Sequence, residues 1–300
     1  MNTKKYLKMF GALADEKRIP LELYDKLVSE IAADGRMTKR VYSVYLQELE
    51  KLGAFDADGA PFDTKNSAKT DGTYKYKHDN IFWRAAHAFC AGVLKVIGYA
   101  AGGIGFGVWR IKDKKKLKGI QSYITASNHI GYLDIVLSRR ATGGKRFYVI
   151  VAPHNCKNDL GGAILKTTAA LPLPCGIKGA KPSADMLEYC KRKKSVIHIY
   201  PEQSMWIGYK KPRPHKDGAY FYADKLDVPV VPVLYCYCKP NIIRRILHLP
   251  KMKILIGDPV YSDKSLKPRE RRKDMNARVQ SELKALYESH YGVKLEYTVD

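Results

Sequence analysis

The sequence lacks most of the signatures that mark common enzyme classes. Its six cysteines, at 90, 156, 175, 190, 236 and 238, include no Cys-x-x-Cys pair, and none is spaced with histidines as in a zinc finger. No secretory leader is read in residues 1–10, which are polar and basic, so reduced thiols in a cytoplasmic compartment are expected. There is no Gly-x-Ser-x-Gly elbow. Gly143-Gly144-Lys145 runs into Arg146 where a P-loop needs Ser or Thr. Gly103-x-Gly105-x-Gly107 lacks the preceding strand and the third-glycine spacing of a dinucleotide loop. Acidic residues are scarce as well. Thirty stand against 53 lysines and arginines, a formal charge of +23, which implies a negative partner: nucleic acid, an anionic lipid leaflet or an acidic protein.

What is present divides the chain into four parts. In residues 1–55, Leu23, Leu27 and Ile31, then Val41, Val44, Tyr45, Leu49 and Leu52, recur at helical spacing around Gly35, giving a small helical unit with the outline of a helix-turn-helix. Residues 56–80, rich in Asp, Gly, Lys and Thr, read as a linker. Residues 81–111 contain the least polar run, Phe89 to Trp109, about as long as the ~20 residues of a membrane span. Lys95 and several glycines interrupt it, Trp83 and Trp109 bracket it, and Arg110, Lys112, Lys114, Lys115, Lys116 and Lys118 follow it. Interfacial aromatics beside a basic cluster suit a segment that dips into one anionic leaflet.

From residue 112 to 300, strand-like runs at 122–126, 146–151, 195–200, 228–237 and 253–256 alternate with helical ones at 183–193, 218–225 and 269–287, with Ser183 as an N-cap after Pro182. This alternation predicts an α/β domain with a central, mostly buried sheet flanked by helices.

Two strand ends carry the chemistry. In Ser127-Asn128-His129-Ile130-Gly131-Tyr132-Leu133-Asp134, His129 falls in a strand-to-helix turn, where open α/β sheets place ligand groups, and Asp134 follows five residues later. A carboxylate on one ring nitrogen fixes the imidazole tautomer and makes the other nitrogen a better base. In Tyr200-Pro201-Glu202-Gln203-Ser204-Met205, a second strand ends in hydrogen-bonding side chains. Lys216-Asp217-Gly218-Ala219 and the strand Val228-Pro229-Val230-Val231-Pro232-Val233 follow.

Taken in order, Asn-His-x4-Asp, aromatic-Pro-Glu-x-Ser, Lys-x-Gly-Ala and Val-Pro-Val-Val-Pro-Val over about residues 83–260 resemble the 1-acylglycerol-3-phosphate acyltransferase family of membrane glycerolipid enzymes. The resemblance implies an O-acyltransferase on the cytoplasmic face of a membrane, peripheral or monotopic. It would move an acyl chain from acyl-coenzyme A or acyl carrier protein to a lysolipid-type hydroxyl, with no metal and no cofactor. His129 would be the general base and Asp134 its orienting partner. Glu202 and Ser204 would hold the acceptor's polar head, with Asn128, Gln203 and Lys216 as further substrate contacts, and Pro229 to Val233 would line the acyl side. The chain also departs from the family pattern. The block that normally ends in arginine has Met205, and the Leu171–Gly176 region lacks a second arginine. Arginine is the usual phosphate fork, so Lys178, Lys181, Lys210, Lys211 or Arg213 would take over any phosphate contact.

Two other readings compete. A nucleic-acid-binding protein would use the helical pair as a reader, but the positive charge is spread over Lys112–Lys118, Lys191–Lys194, Lys210–Lys216 and Lys264–Lys273. A metallophosphoesterase would need further Asp and His ligands beside Asn128 and His129, and the remaining histidines, from His78 to His290, form no such cluster in sequence.

Overall fold

The computed structural model describes residues 1–77, 80–142, 146–157, 159–167 and 170–299; Gly143-Gly144-Lys145 and His78 lie outside them. Its centre is a seven-stranded sheet: β1 (Ile111–Lys112), β2 (Tyr123–Ser127), β3 (Phe147–Val151), β4 (Ala170–Pro172), β5 (Val196–Ile199), β6 (Val230–Cys238) and β7 (Lys251–Ile256). The spatial order is β1-β7-β6-β2-β5-β3-β4, and every neighbouring pair is parallel except β6 with β7. β2 lies between β5 and β6, with Ala126 opposite both Ile199 and Pro232. Its five residues are all buried, as the near-continuous apolar runs of a two-sided parallel sheet require.

Helices cover both faces. On one, α7 (Gly176–Arg192), α8 (Phe221–Leu226) and α10 (Pro268–Tyr291) pack Met186, Leu187, Leu226, Val279 and Leu283 against Ile124, Ile197 and Leu234. On the other, α5 (Asp134–Ala141) packs Leu137 and Ala141 against Tyr123, Val149 and Val231, and α6 (Leu160–Thr167) adds Leu165. Helix α7 differs from the sequence expectation: it starts seven residues earlier and runs through Pro182, so Ser183 is a buried interior residue and not a cap. The carbonyl of Thr70, accepting from Cys175 N–H at 2.9 Å, anchors the chain just before that first turn.

Residues 1–55 form three helices, α1 (Thr3–Asp15), α2 (Leu21–Ala33) and α3 (Lys39–Lys51), around Phe10, Leu27, Val41, Tyr45 and Leu49. Trp206, from far along the chain, completes that core. The 56–80 stretch has no helix or strand among its described residues, yet it is packed down. Ala57, Ala60, Ala68 and Thr70 are buried, Phe62 stacks on His154, and Tyr76 donates its hydroxyl proton to Pro172 O.

Helix α4 (Ile81–Ala100) continues as a π-helical turn, Ala101–Gly105. It lies against α5 through two arginines: Arg139 donates to Ala91 O at 3.0 Å and Arg140 to Tyr99 O at 3.1 Å. A Cβ at residue 102 would stand 2.9 Å from Arg140 Cδ, so glycine there permits the approach. The outward face is apolar and uncovered, with Phe82, Phe89, Val96 and Ile97 all more than half exposed.

Candidate active site

The site forms where β2 ends and α5 begins. Asp134 is the first residue of α5, and its Oδ2 accepts from three donors: Ile130 N at 2.6 Å, Gly131 N at 2.9 Å and His129 Nδ1 at 3.1 Å. The tight turn from residue 130 to 134 brings both backbone N–H groups onto that oxygen, and the start of a helix favours the negative charge. An ionised carboxylate can only accept, so Nδ1 of His129 carries a proton and Nε2 keeps its lone pair. Asp134 is buried while the His129 side chain retains 22% exposure, enough for its free nitrogen to meet a substrate.

The backbone of His129 is clamped by the turn after β5. Its N–H donates to Glu202 Oε2 at 3.0 Å, and its carbonyl accepts from Trp206 N–H at 3.0 Å. Its ring stacks on Tyr200 with centroids 4.0 Å apart. Behind Tyr200 lies His198, wholly buried, with Nδ1 at 2.8 Å from Thr125 Oγ1 and Nε2 at 3.0 Å from Ser138 Oγ. Ser138 Oγ also meets Tyr235 Oη at 2.6 Å. Burial first, and the neighbouring His129 imidazole second, push the His198 imidazole down to about 3, so it is neutral near pH 7. Both of its ring nitrogens are engaged within the sheet and by α5.

Glu202 corrects an expectation. It was expected to hold the acceptor's head, but its carboxylate is buried and fully occupied within the protein. Besides His129 N, it accepts from Arg213 Nη2 at 2.8 Å, Arg213 Nε at 3.1 Å and Arg213 N at 2.7 Å. Arg213, itself 1% exposed, further donates to Phe55 O, Ser204 Oγ and Ser204 O, and stacks over Trp206 at 4.5 Å. Arg213 is thus an internal bracket and not a phosphate fork. Lys211 is likewise committed, to Glu50 at 2.6 Å, whereas Lys178, Lys181 and Lys210 are exposed.

The other substrate contacts expected from the sequence also fall differently. Asn128 is fully buried and bonds Tyr235 twice, Nδ2 to O at 3.0 Å and Oδ1 from N at 2.9 Å, stitching the end of β2 to β6. Ser204 is buried under Arg213. Lys216 is exposed but pairs with Asp56 at 2.7 Å. Gln203 is exposed at the tip of the turn, with φ 66°. The Pro229–Val233 run is buried in the interior of the sheet.

Sequence reading missed the Glu202–Arg213 bracket as a unit. It also missed the role of the N-terminal helices, since α3 is applied to this loop: Tyr42 Oη accepts from Ile207 N–H, and Glu50 accepts from Tyr209 Oη. Among the described residues, no three His, Cys, Asp or Glu side chains gather as a metal-binding group. Cavities at the β4 edge are lined by Arg146, Lys166, Tyr148 and Tyr74 and include none of the expected site residues.

Residues 109–236 match the family model described as Acyltransferase. No curated protein matches the chain. Among solved structures, the chain is similar to the 1-acyl-sn-glycerophosphate (LPA) acyltransferase PlsC from Thermotoga maritima at 16% identity and a TM-score of 0.45, over 67% of this chain and 83% of that one. The matched segment, which is similar to an acyltransferase domain, holds His129, Asp134, Glu202 and Arg213.

Proposed function

We propose that the protein transfers an acyl group from a thioester, acyl-coenzyme A or acyl carrier protein, to the hydroxyl of a lysolipid-type acceptor at an anionic membrane surface. The observation that carries this reading is the His129 Nδ1–Asp134 Oδ2 contact of 3.1 Å at the open end of β2. In the reaction, Nε2 of His129 removes the acceptor's hydroxyl proton as the oxygen attacks the thioester carbonyl. The buried carboxylate of Asp134 offsets the imidazolium that forms. When the C–S bond breaks, the departing thiolate takes that proton back from Nε2, so the imidazole is regenerated. Glu202 and Arg213 act at one remove: they hold the His129 backbone and touch no substrate. With Met205 at the usual arginine position and Arg213 occupied, the acceptor's head is met by exposed lysines and not by a buried bidentate fork.

The apolar outer face of α4 supports a membrane location. It is the one described helix long and apolar enough to cross a bilayer. Its inner face is taken by α5, which begins at Asp134, so a helix resting on lipid would hold the catalytic turn near the surface where both substrates partition.

Full-length protein incubated with labelled acyl-coenzyme A or acyl carrier protein, a panel of lysolipids and anionic vesicles tests this reading. Acceptor-dependent thiol release with a matching amount of new ester is expected. Thiol release without ester, or none with any acceptor, would overturn it.

A further inference from the structure

A second uncovered apolar surface lies at the antiparallel corner of the sheet. Between β6 and β7 the chain forms one short helix, α9 (Ile242–Ile246), capped by Asn241, whose Oδ1 accepts from Arg244 N–H at 3.0 Å. Ile242, Ile243, Ile246 and Leu247 are 72%, 63%, 70% and 59% exposed. Four large aliphatics within six residues, all facing out, make the kind of contiguous patch that marks a contact surface.

The helix is fixed in place by its one inward side chain. Arg244 donates from Nε to Pro250 O at 2.9 Å and from Nη2 to Gly105 O, the last residue of the π-helical turn that ends α4. Gly107, with φ +66°, lies against the same guanidinium: a Cβ there would stand 3.1 Å from Arg244 Cζ. Met252 N–H donates to Phe106 O at 2.8 Å, tying β7 to the same stretch. The end of α4 and α9 therefore form one braced surface, to which Ile104 and Trp109 add 63% and 68% exposed side chains. Its rim is basic. No acidic residue occurs between Asp227 and Asp258, while Lys239, Arg244, Arg245, Lys251 and Lys253 fall in that interval.

We propose that α9 is a second membrane-inserting element, which enters an anionic leaflet together with the end of α4. Ile242, Ile243, Ile246 and Leu247 occupy the boundary between headgroups and acyl chains, and Lys239 and Arg245 meet lipid phosphates. This rests on the membrane reading of α4 given above and adds to it. A single helix on a bilayer leaves the protein free to roll about the helix axis, whereas a second braced contact fixes its tilt.

Vesicle flotation of the full-length protein tests the proposal, using phosphatidylcholine with and without phosphatidylglycerol. The Ile242→Asp/Ile246→Asp variant should lose at least ~10-fold in partitioning onto anionic vesicles, and Ile242→Leu/Ile246→Leu should float as wild type. Acyl transfer to a detergent-dispersed acceptor should be unchanged in both, which shows that the aspartate variant is folded. A Val96→Asp/Ile97→Asp variant separates the two readings. If it loses vesicle binding while Ile242→Asp/Ile246→Asp floats as wild type, α9 does not touch lipid and the proposal is wrong, though α4 still binds. Wild type that fails to float defeats the membrane reading, and this proposal with it. A wild-type dimer by light scattering that the aspartate pair converts to monomer, with flotation intact, assigns the patch to a second copy of the chain and also overturns the proposal.

Discussion

Asp134 shows how much one residue carries. Its Oδ2 takes two backbone protons and the imidazole proton at once, so Asp134→Asn keeps an accepting oxygen at that place while removing the negative charge that offsets the imidazolium. We expect at least a ~10²-fold fall in turnover with little change in apparent donor affinity, measured by steady-state kinetics. Glu202 and Arg213 should behave differently. Arg213→Met leaves a buried carboxylate without its partner and should cost about 3–5 kcal/mol of stability, read from urea denaturation. Pairing it with Glu202→Gln should recover part of that loss. If the single variant is as stable as wild type, the bracket is not structural. His129 and Asp134 were legible in the sequence because they lie five residues apart on one local turn. The partner of Glu202 was not. Arg213 is eleven residues away around a loop, and nothing in local spacing distinguishes a buried, stacked guanidinium from the neighbouring solvated lysines.

Elements differ in legibility for similar reasons. β2, β5 and β6 are buried over nearly their whole length and fall within apolar, β-branched-rich runs, and the pattern shows it. β1 and β4, at two and three residues, exist only because a neighbouring strand pairs with them. In α7, Pro182 resembles a start signal, yet packing of the preceding turns beside Thr70 outweighs one missing N–H. α1 did carry a signal, since Tyr6, Met9, Phe10 and Leu13 fall at helical spacing among lysines. These N-terminal helices close over the loop that clamps His129, and Trp206 is the residue they share with it: its indole Nε1 donates to Ala57 O at 2.9 Å. Trp206→Ala should therefore cost about 3–5 kcal/mol and expose residues 1–55 to limited proteolysis. Unchanged cleavage would mean the unit is held by other contacts.

Across the whole molecule, two buried imidazoles set a pH dependence. Burial pushes His198 and His215 down to about 3 from an ordinary 6.5, and His215 lies beside Arg213, whose charge lowers it further. Both are neutral in the fold and take up protons more readily when unfolded. Their contribution to stability is thus complete above about pH 6.5 and is lost as pH falls toward 3. Each group contributes a slope of up to about 1.4 kcal/mol per pH unit in that window. Urea midpoints at pH 7.5, 6 and 5 should decline accordingly, and His198→Gln should flatten the decline. A steeper or equal slope in that variant would contradict the assignment. The formal charge of +23 acts at the same scale, and vesicle binding should weaken as salt is raised from 0.05 to 0.5 M, to roughly half the screening length or less.

The most direct test of the account compares His129→Ala with wild type in acyl transfer from a labelled thioester to a lysolipid, with vesicle binding measured on the same samples. Loss of about 10²–10⁴-fold in turnover, with binding and thermal unfolding unchanged, is the predicted result. Turnover within a few-fold of wild type would contradict it, because the buried imidazole nearest His129 among the described residues, His198, has both ring nitrogens bonded inside the sheet.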